Sequence, residues 1–70
     1  MSKNTKILSE REKEILELVV KGLSNPKIAE KIIISESTVK VHVSNIFKKL
    51  GVNTRVEATV KAIQNGLVKI

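Results

Sequence analysis

Little in this sequence can make or break a covalent bond. His42 is the single histidine, and there is neither a cysteine nor an aspartate to join it. A general base needs a second group to orient it, and a metal ion needs three or four donors, so His42 lacks partners for either task. The acidic residues are all glutamates, and Glu10, Glu12, Glu14 and Glu17 crowd into one short run. That run reads as the solvated face of a helix turned away from any polyanion, with Glu17 and Lys21 at the spacing of an i,i+4 ion pair. The chemistry on offer is recognition. After Glu36 there is no acidic residue until Glu57, and the interval holds Lys40, Lys48, Lys49, several small polar groups and a valine at every other position from Val39 to Val43.

Charge points the same way. Thirteen lysines and arginines face seven glutamates, a formal net charge of +6. Residues 1–20 are balanced, whereas residues 21–50 carry Lys21, Lys27, Lys31, Lys40, Lys48 and Lys49 against Glu30 and Glu36. An excess in mid-chain suits a surface that meets phosphate, although a solvated lysine-rich surface has the same composition. One aromatic residue, Phe47, is too few to build a stacking platform for single-stranded bases.

Those groups need a scaffold, and 70 residues allow one small domain that buries roughly 60% of its unfolded surface. A 41% hydrophobic and 29% charged composition is globular, not disordered. Without cysteine there is no disulfide or zinc framework. The aliphatic run at residues 32–34, which no other exceeds, is far too short to span a membrane. The basic lead at residues 1–6 is not followed by the apolar stretch of a signal peptide. The expectation is a cytoplasmic protein that is not an enzyme, has no cofactor and no membrane partner.

Start and stop signals divide the chain into helices. Ser9 and Glu12 form a capping box. Behind it, Ile15, Leu18, Val19 and Leu23 recur at helical spacing, with Leu8 stapling the start and Gly22 ending the helix. Ser24 or Asn25 caps a second helix, Pro26 suits its first turn, and Ile28, Ala29 and Ile32 form its stripe. Residues 33–35 break that helix without a glycine. Ser35 then caps a third, about 36–50, with Val39, Val43, Ile46, Phe47 and Leu50 as its core stripe and Gly51 as its stop. Thr54 and Glu57 form a second capping box, opening a fourth helix toward Gly66. In the fourth, Ala58, Ala62 and Ile63 are expected to pack inward, leaving Val56, Val60 and Gln64 exposed. The predicted fold is all-α: a four-helix bundle containing a helix-turn-helix made by helices two and three, with residues 1–7 a flexible N-terminal tail and residues 8–70 the domain.

At 100° per residue, Val41 points about 200° away from Val39, toward solvent. Ser37, Ser44, Asn45 and Lys48 share that outer face and Lys40 flanks it. A major groove asks for this mixture: lysine for guanine acceptors, a methyl-bearing side chain for thymine, small polar groups for close approach. Thr38, near the helix start, can offer hydroxyl or amide to a phosphate. Lys48 and Lys49 at the helix end, and Lys27 in helix two, are long cations placed for backbone contact.

The stretches Leu8-Ser9-Glu10-Arg11-Glu12, Gly22-Leu23-Ser24-Asn25, Ser35-Glu36-Ser37-Thr38-Val39-Lys40-Val41-His42-Val43, Lys49-Leu50-Gly51-Val52 and Arg55-Val56-Glu57-Ala58 together resemble the DNA-binding domain of LuxR/FixJ-type, NarL-like bacterial transcription regulators. The resemblance runs over roughly residues 8–68 and keeps its spacing across all four helices. It implies that helix three enters the major groove of double-stranded DNA, with Lys40, Val41 and Ser44 approaching bases. It further implies that His42 meets the phosphate backbone and that the fourth helix mediates dimerisation on DNA. Placement adds Lys27, Thr38, Asn45, Lys48 and Lys49 as phosphate contacts, and the exposed part of helix four gives Val56, Val60 and Gln64 as the seam of a homodimer on paired half-sites. RNA polymerase is a further partner to expect, and the bacterial nucleoid the place. Two positions depart from the pattern: Ser44 stands where a NarL-like domain has lysine, and Pro26 where a polar residue is usual.

Two other readings share part of this pattern. A sigma-factor region-4-like promoter-recognition module also has a capped helix ahead of a helix-turn-helix, but the fourth helix argues against it. A small protein-interaction module without DNA binding would lack steep loss of duplex affinity with salt.

Overall fold

The computed structural model describes residues 8–68; the tail expected at residues 1–7 and the last two residues of the expected domain lie outside them. Four helices follow in order: α1 (Glu10–Val20), α2 (Asn25–Ile32), α3 (Glu36–Leu50) and α4 (Arg55–Gln64). There is no strand among the described residues. Each start is set by a hydroxyl in extended backbone. Ser9, Ser24, Ser35 and Thr54 each accept the amide three residues on, and both predicted capping boxes close. Ser24, not Asn25, caps α2.

The ends use left-handed residues, one of them unexpected. Gly51 terminates α3 at φ 71°, a conformation that a residue without Cβ adopts freely. At the end of α2 the same role falls to Ile33, at φ 58°. A β-branched side chain is disfavoured there by about 1–2 kcal/mol. The turn allows the Ile34 amide to reach back to the Ala29 carbonyl at 3.0 Å, and the Ile33 side chain is thrown 88% into solvent.

One core joins all four helices. Ile15, Leu16, Ile28, Val39 and Ile46 fill its centre, and Ala58 and Ala62 present the small buried face of α4. Leu16 was not in the stripe read for α1 and belongs to the core. Leu67 lies beyond α4, where its amide bonds back to the Ala62 carbonyl at 2.8 Å and Val68 turns into the core.

Three expectations are corrected. Ile63 is 46% exposed and not part of the inner stripe, because at 100° per residue it sits about 100° round α4 from Ala62, on the side of Val56. Glu12 is not on a solvated face; it is buried. The ion pairs along α1 are Arg11–Glu14 and Lys13–Glu10. No Glu17–Lys21 pair forms among the described residues.

Candidate nucleic-acid interface

The buried stripe of α3 fixes which of its side chains face outward. Val39 and Ile46 are 0% and 1% exposed, so the opposite arc, carrying Lys40, Val41, Ser44, Asn45 and Lys48, is exposed. Val41 stands free at 59%. Lys40, Ser44 and Lys48 recur at i, i+4 and i+8 along one edge of that arc. They line an open groove of about 400 Å³ whose other walls are Phe47, Val52, Asn53 and Asn25. No acidic side chain lines it. Phe47, expected in the core stripe, is half-buried and forms part of this wall. Lys27 is exposed on α2.

The start of α3 is wired more tightly than its sequence suggests. The Thr38 amide already donates to Ser35 Oγ at 3.1 Å, so that amide is not available to a phosphate. Ser35 Oγ also lies 2.8 Å from Thr38 Oγ1 and 3.1 Å from Ser37 Oγ. A hydroxyl has one proton and two lone pairs. With one lone pair taken by the Thr38 amide, Ser35 can accept from only one of its two hydroxyl neighbours and must donate to the other. One of the Ser37 and Thr38 hydroxyls therefore keeps its proton for an outside acceptor.

His42 and Lys49 occupy the other edge of α3, where it meets α1, and both are half-buried. Lys49 Nζ donates to Glu12 Oε1 at 2.7 Å, and the Ser9 amide donates to the same oxygen at 2.9 Å. The Lys49 hydrogen bond, then the Ser9 amide, hold the Glu12 carboxyl below the usual carboxylate range, against the opposing effect of burial. The charge of Lys49 is thus directed at α1, while Lys48 faces the groove.

On α4 the surface is of a different kind. Val56, Val60 and Ile63 are exposed at 74%, 47% and 46%, and Gln64 is exposed beside them. Their spacing is i, i+4, i+7, opposite the Ala58–Ala62 face.

One arrangement was not visible in the chain. Arg55, at the start of α4, donates through Nη2 to Asn25 Oδ1 and through Nη1 to the Leu23 carbonyl at 3.4 Å. Its partners precede it by 30 and 32 residues, and local spacing carries no signal for such a pair.

A capped four-helix core, a helix-turn-helix in α2 and α3, and a basic outer face on α3 together define a DNA-binding domain of the transcription-regulator type. The sequence matches the profile of bacterial regulatory proteins, luxR family, over residues 6–62, and the chain belongs to that family. That family sets aside the sigma-factor reading. Among relatives, the chain is 53% identical over 64 residues to the transcriptional regulatory protein DegU of Brevibacillus brevis, covering 91% of this chain and 27% of that protein. Among solved structures, it superposes on the response regulator ChrA of a heme-sensing two-component system with a TM-score of 0.86 at 48% identity, covering 96% of this chain and 33% of ChrA. The transcription factor GerE gives a TM-score of 0.82 at 38% identity, covering 91% of this chain and 96% of GerE. The chain therefore spans about a quarter of its curated relative DegU. No helix among the described residues is long and apolar enough to cross a membrane.

Proposed function

We propose that this domain reads double-stranded DNA through the outer face of α3 and binds paired half-sites as a homodimer through α4. The observation that carries the reading is the exposed arc of Lys40, Val41, Ser44, Asn45 and Lys48, free of acidic side chains and held out by a fully buried opposite stripe. Lys40, Val41 and Ser44 are the base-reading groups: a cation, a methyl surface and a small hydroxyl, matched to the acceptors and methyls of the major groove. Lys48, Lys27, Asn45 and the Ser37/Thr38 hydroxyls serve phosphates. His42 sits at the edge and adds a phosphate contact. Lys49 contributes only long-range attraction, since its ammonium is engaged by Glu12.

The stripe Val56, Val60 and Ile63, with Gln64, supports a two-fold seam that sets two recognition helices one DNA turn apart. On promoter DNA, RNA polymerase is the partner through which such a dimer acts. The name of the DegU relative, a transcriptional regulatory protein, agrees with this use.

The test is selection of a bound duplex from a random pool, followed by titration at two salt concentrations. Sequence-selective binding that weakens steeply with salt is expected. Recovery of no common sequence, with salt-insensitive affinity, would favour the protein-interaction reading.

A further inference from the structure

Asn25 is a polar side chain that the fold orients and that none of the roles above employs. Ser24 caps α2 by accepting the Lys27 amide at 3.4 Å, so Asn25 is released from helix capping. Its Oδ1 instead accepts from Arg55 Nη2, while Arg55 Nη1 is directed at the Leu23 carbonyl at 3.4 Å. A guanidinium has five N–H donors and no acceptor. The atom of the carboxamide facing it must be the oxygen, because the flipped amide would set N–H against N–H. The Asn25 NH₂ group is consequently turned away from Arg55. Asn25 borders the groove whose walls include Lys40, Ser44, Lys48 and Asn53, with no carboxylate among the lining groups.

We infer that Asn25 is a DNA phosphate contact, its carboxamide NH₂ donating to a phosphate oxygen that the Lys40–Lys48 groove attracts, and that Arg55 is the positioning residue that fixes the direction of this donor. The inference rests on the DNA-binding reading and adds two residues to it. It also gives α4 a part in DNA recognition apart from dimerisation, since Arg55 immediately precedes Val56 of the exposed seam. The chemistry is specific: Asn25 supplies two donors and no charge, and the two lysines supply the field that favours an anionic acceptor beside it.

The experiment uses the whole chain and a selected half-site duplex in which each phosphate near the site is replaced, one at a time, by an uncharged methylphosphonate. Asn25→Ala should weaken binding to the unmodified duplex about tenfold. That loss should disappear on the one duplex whose contacted phosphate has been replaced. Arg55→Gln should lose binding at the same phosphate, and the double variant should be no weaker than the worse single one. Asn25→Asp keeps an oxygen for Arg55 and hence the fold, but has no NH₂ and sets a negative charge against the phosphate. It should bind the unmodified duplex more weakly than wild type and recover selectively on the one duplex whose contacted phosphate has been replaced, and it decides the matter if Asn25→Ala proves unstable. Parallel losses across every methylphosphonate duplex, or additive effects of the two substitutions, would overturn the inference and leave the DNA reading standing. A wild-type chain that binds no duplex would overturn both.

Discussion

Lys49 Nζ lies 2.7 Å from Glu12 Oε1, and this contact ties the last turn of α3 to the first turn of α1. Glu12 has two tasks at once. It closes the capping box on Ser9, and it receives the one lysine of α3 that turns inward. Burial would ordinarily penalise a carboxylate, but two donors on one oxygen favour the ionised form, and the pKa falls.

A pH dependence follows from that direction. In the unfolded chain Glu12 titrates at about 4.3; in the folded domain it titrates lower. The ionised pair therefore stabilises the fold in full above the unfolded value. Below about pH 4.3 the unfolded chain takes up a proton that the folded one refuses, and stability falls until the folded carboxyl is protonated too. Glu12→Gln, which can still accept from Ser9, should cost about 1–3 kcal/mol at neutral pH and flatten the decline on acidification. Urea midpoints at neutral pH and between pH 4.5 and 3 measure both. Wild-type and variant curves that fall in parallel on acidification would show that the pair does not set the acid response.

Ile33 offers a test of backbone strain with no packing to confuse it. Its side chain is 88% exposed and its φ is 58°, so Ile33→Gly removes the Cβ penalty without opening a cavity. Part of the gain is offset by the greater entropy of an unfolded glycine. The net should be a stabilisation of about 0.5–1 kcal/mol, a rise in midpoint of a few degrees for a domain this size. A lower melting temperature would mean that the isoleucine side chain contributes to the turn through contacts other than burial.

The helices were legible because each began with a side chain that caps and all but α2 ended at a glycine. Ser9, Ser35 and Thr54 announced their helices in local sequence, and the buried stripe Val39, Val43, Ile46 and Leu50 fixed the rotation of α3. What escaped was long-range or one turn out of phase. Glu12 was legible as the capping partner of Ser9, but its burial and its bond to a lysine 37 residues later were not. Ile63 is expected inside with Ala58 and Ala62, yet the step of about 100° from Ala62 carries it to the exposed side of Val56. Asn25 read as a possible cap and Arg55 carried no role of its own in the local sequence; the fold pairs them by letting the Arg55 side chain reach from the start of α4 to Asn25.

Base reading is separable from charge. Lys40 and Lys49 carry the same charge on the same helix, yet Lys40 lines the open groove and Lys49 is held by Glu12. Lys40→Ala should lower affinity for the selected site by about 1–3 kcal/mol and shrink the ratio of specific to nonspecific binding. Lys49→Met should instead lower the stability of the domain and leave that ratio unchanged. Competition titrations with selected and scrambled duplexes distinguish them, and an unaltered ratio for Lys40→Ala would remove Lys40 from the base-reading set.

The seam on α4 is tested by a charge placed where water already has access. Val60 is 47% exposed and sits between two shallow grooves, one bordered by Val19, Leu23 and Thr59 and the other by Val52, Lys61 and Gln64. Val60→Glu therefore costs the monomer little, because its carboxylate stays solvated beside Lys61. In a two-fold pair the same substitution brings two carboxylates toward each other across an apolar contact and buries both without partners. Three exposed aliphatic side chains offer only a small apolar surface, so the wild-type chain should be largely monomeric in dilute solution and pair on DNA, where the duplex supplies the proximity. Cooperative binding to two half-sites one helical turn apart should amount to about 5- to 150-fold in the wild type and vanish in Val60→Glu, while affinity for a single half-site changes little beyond the effect of one added negative charge. Retention of full cooperativity in a folded Val60→Glu variant would move the dimer contact off this face of α4.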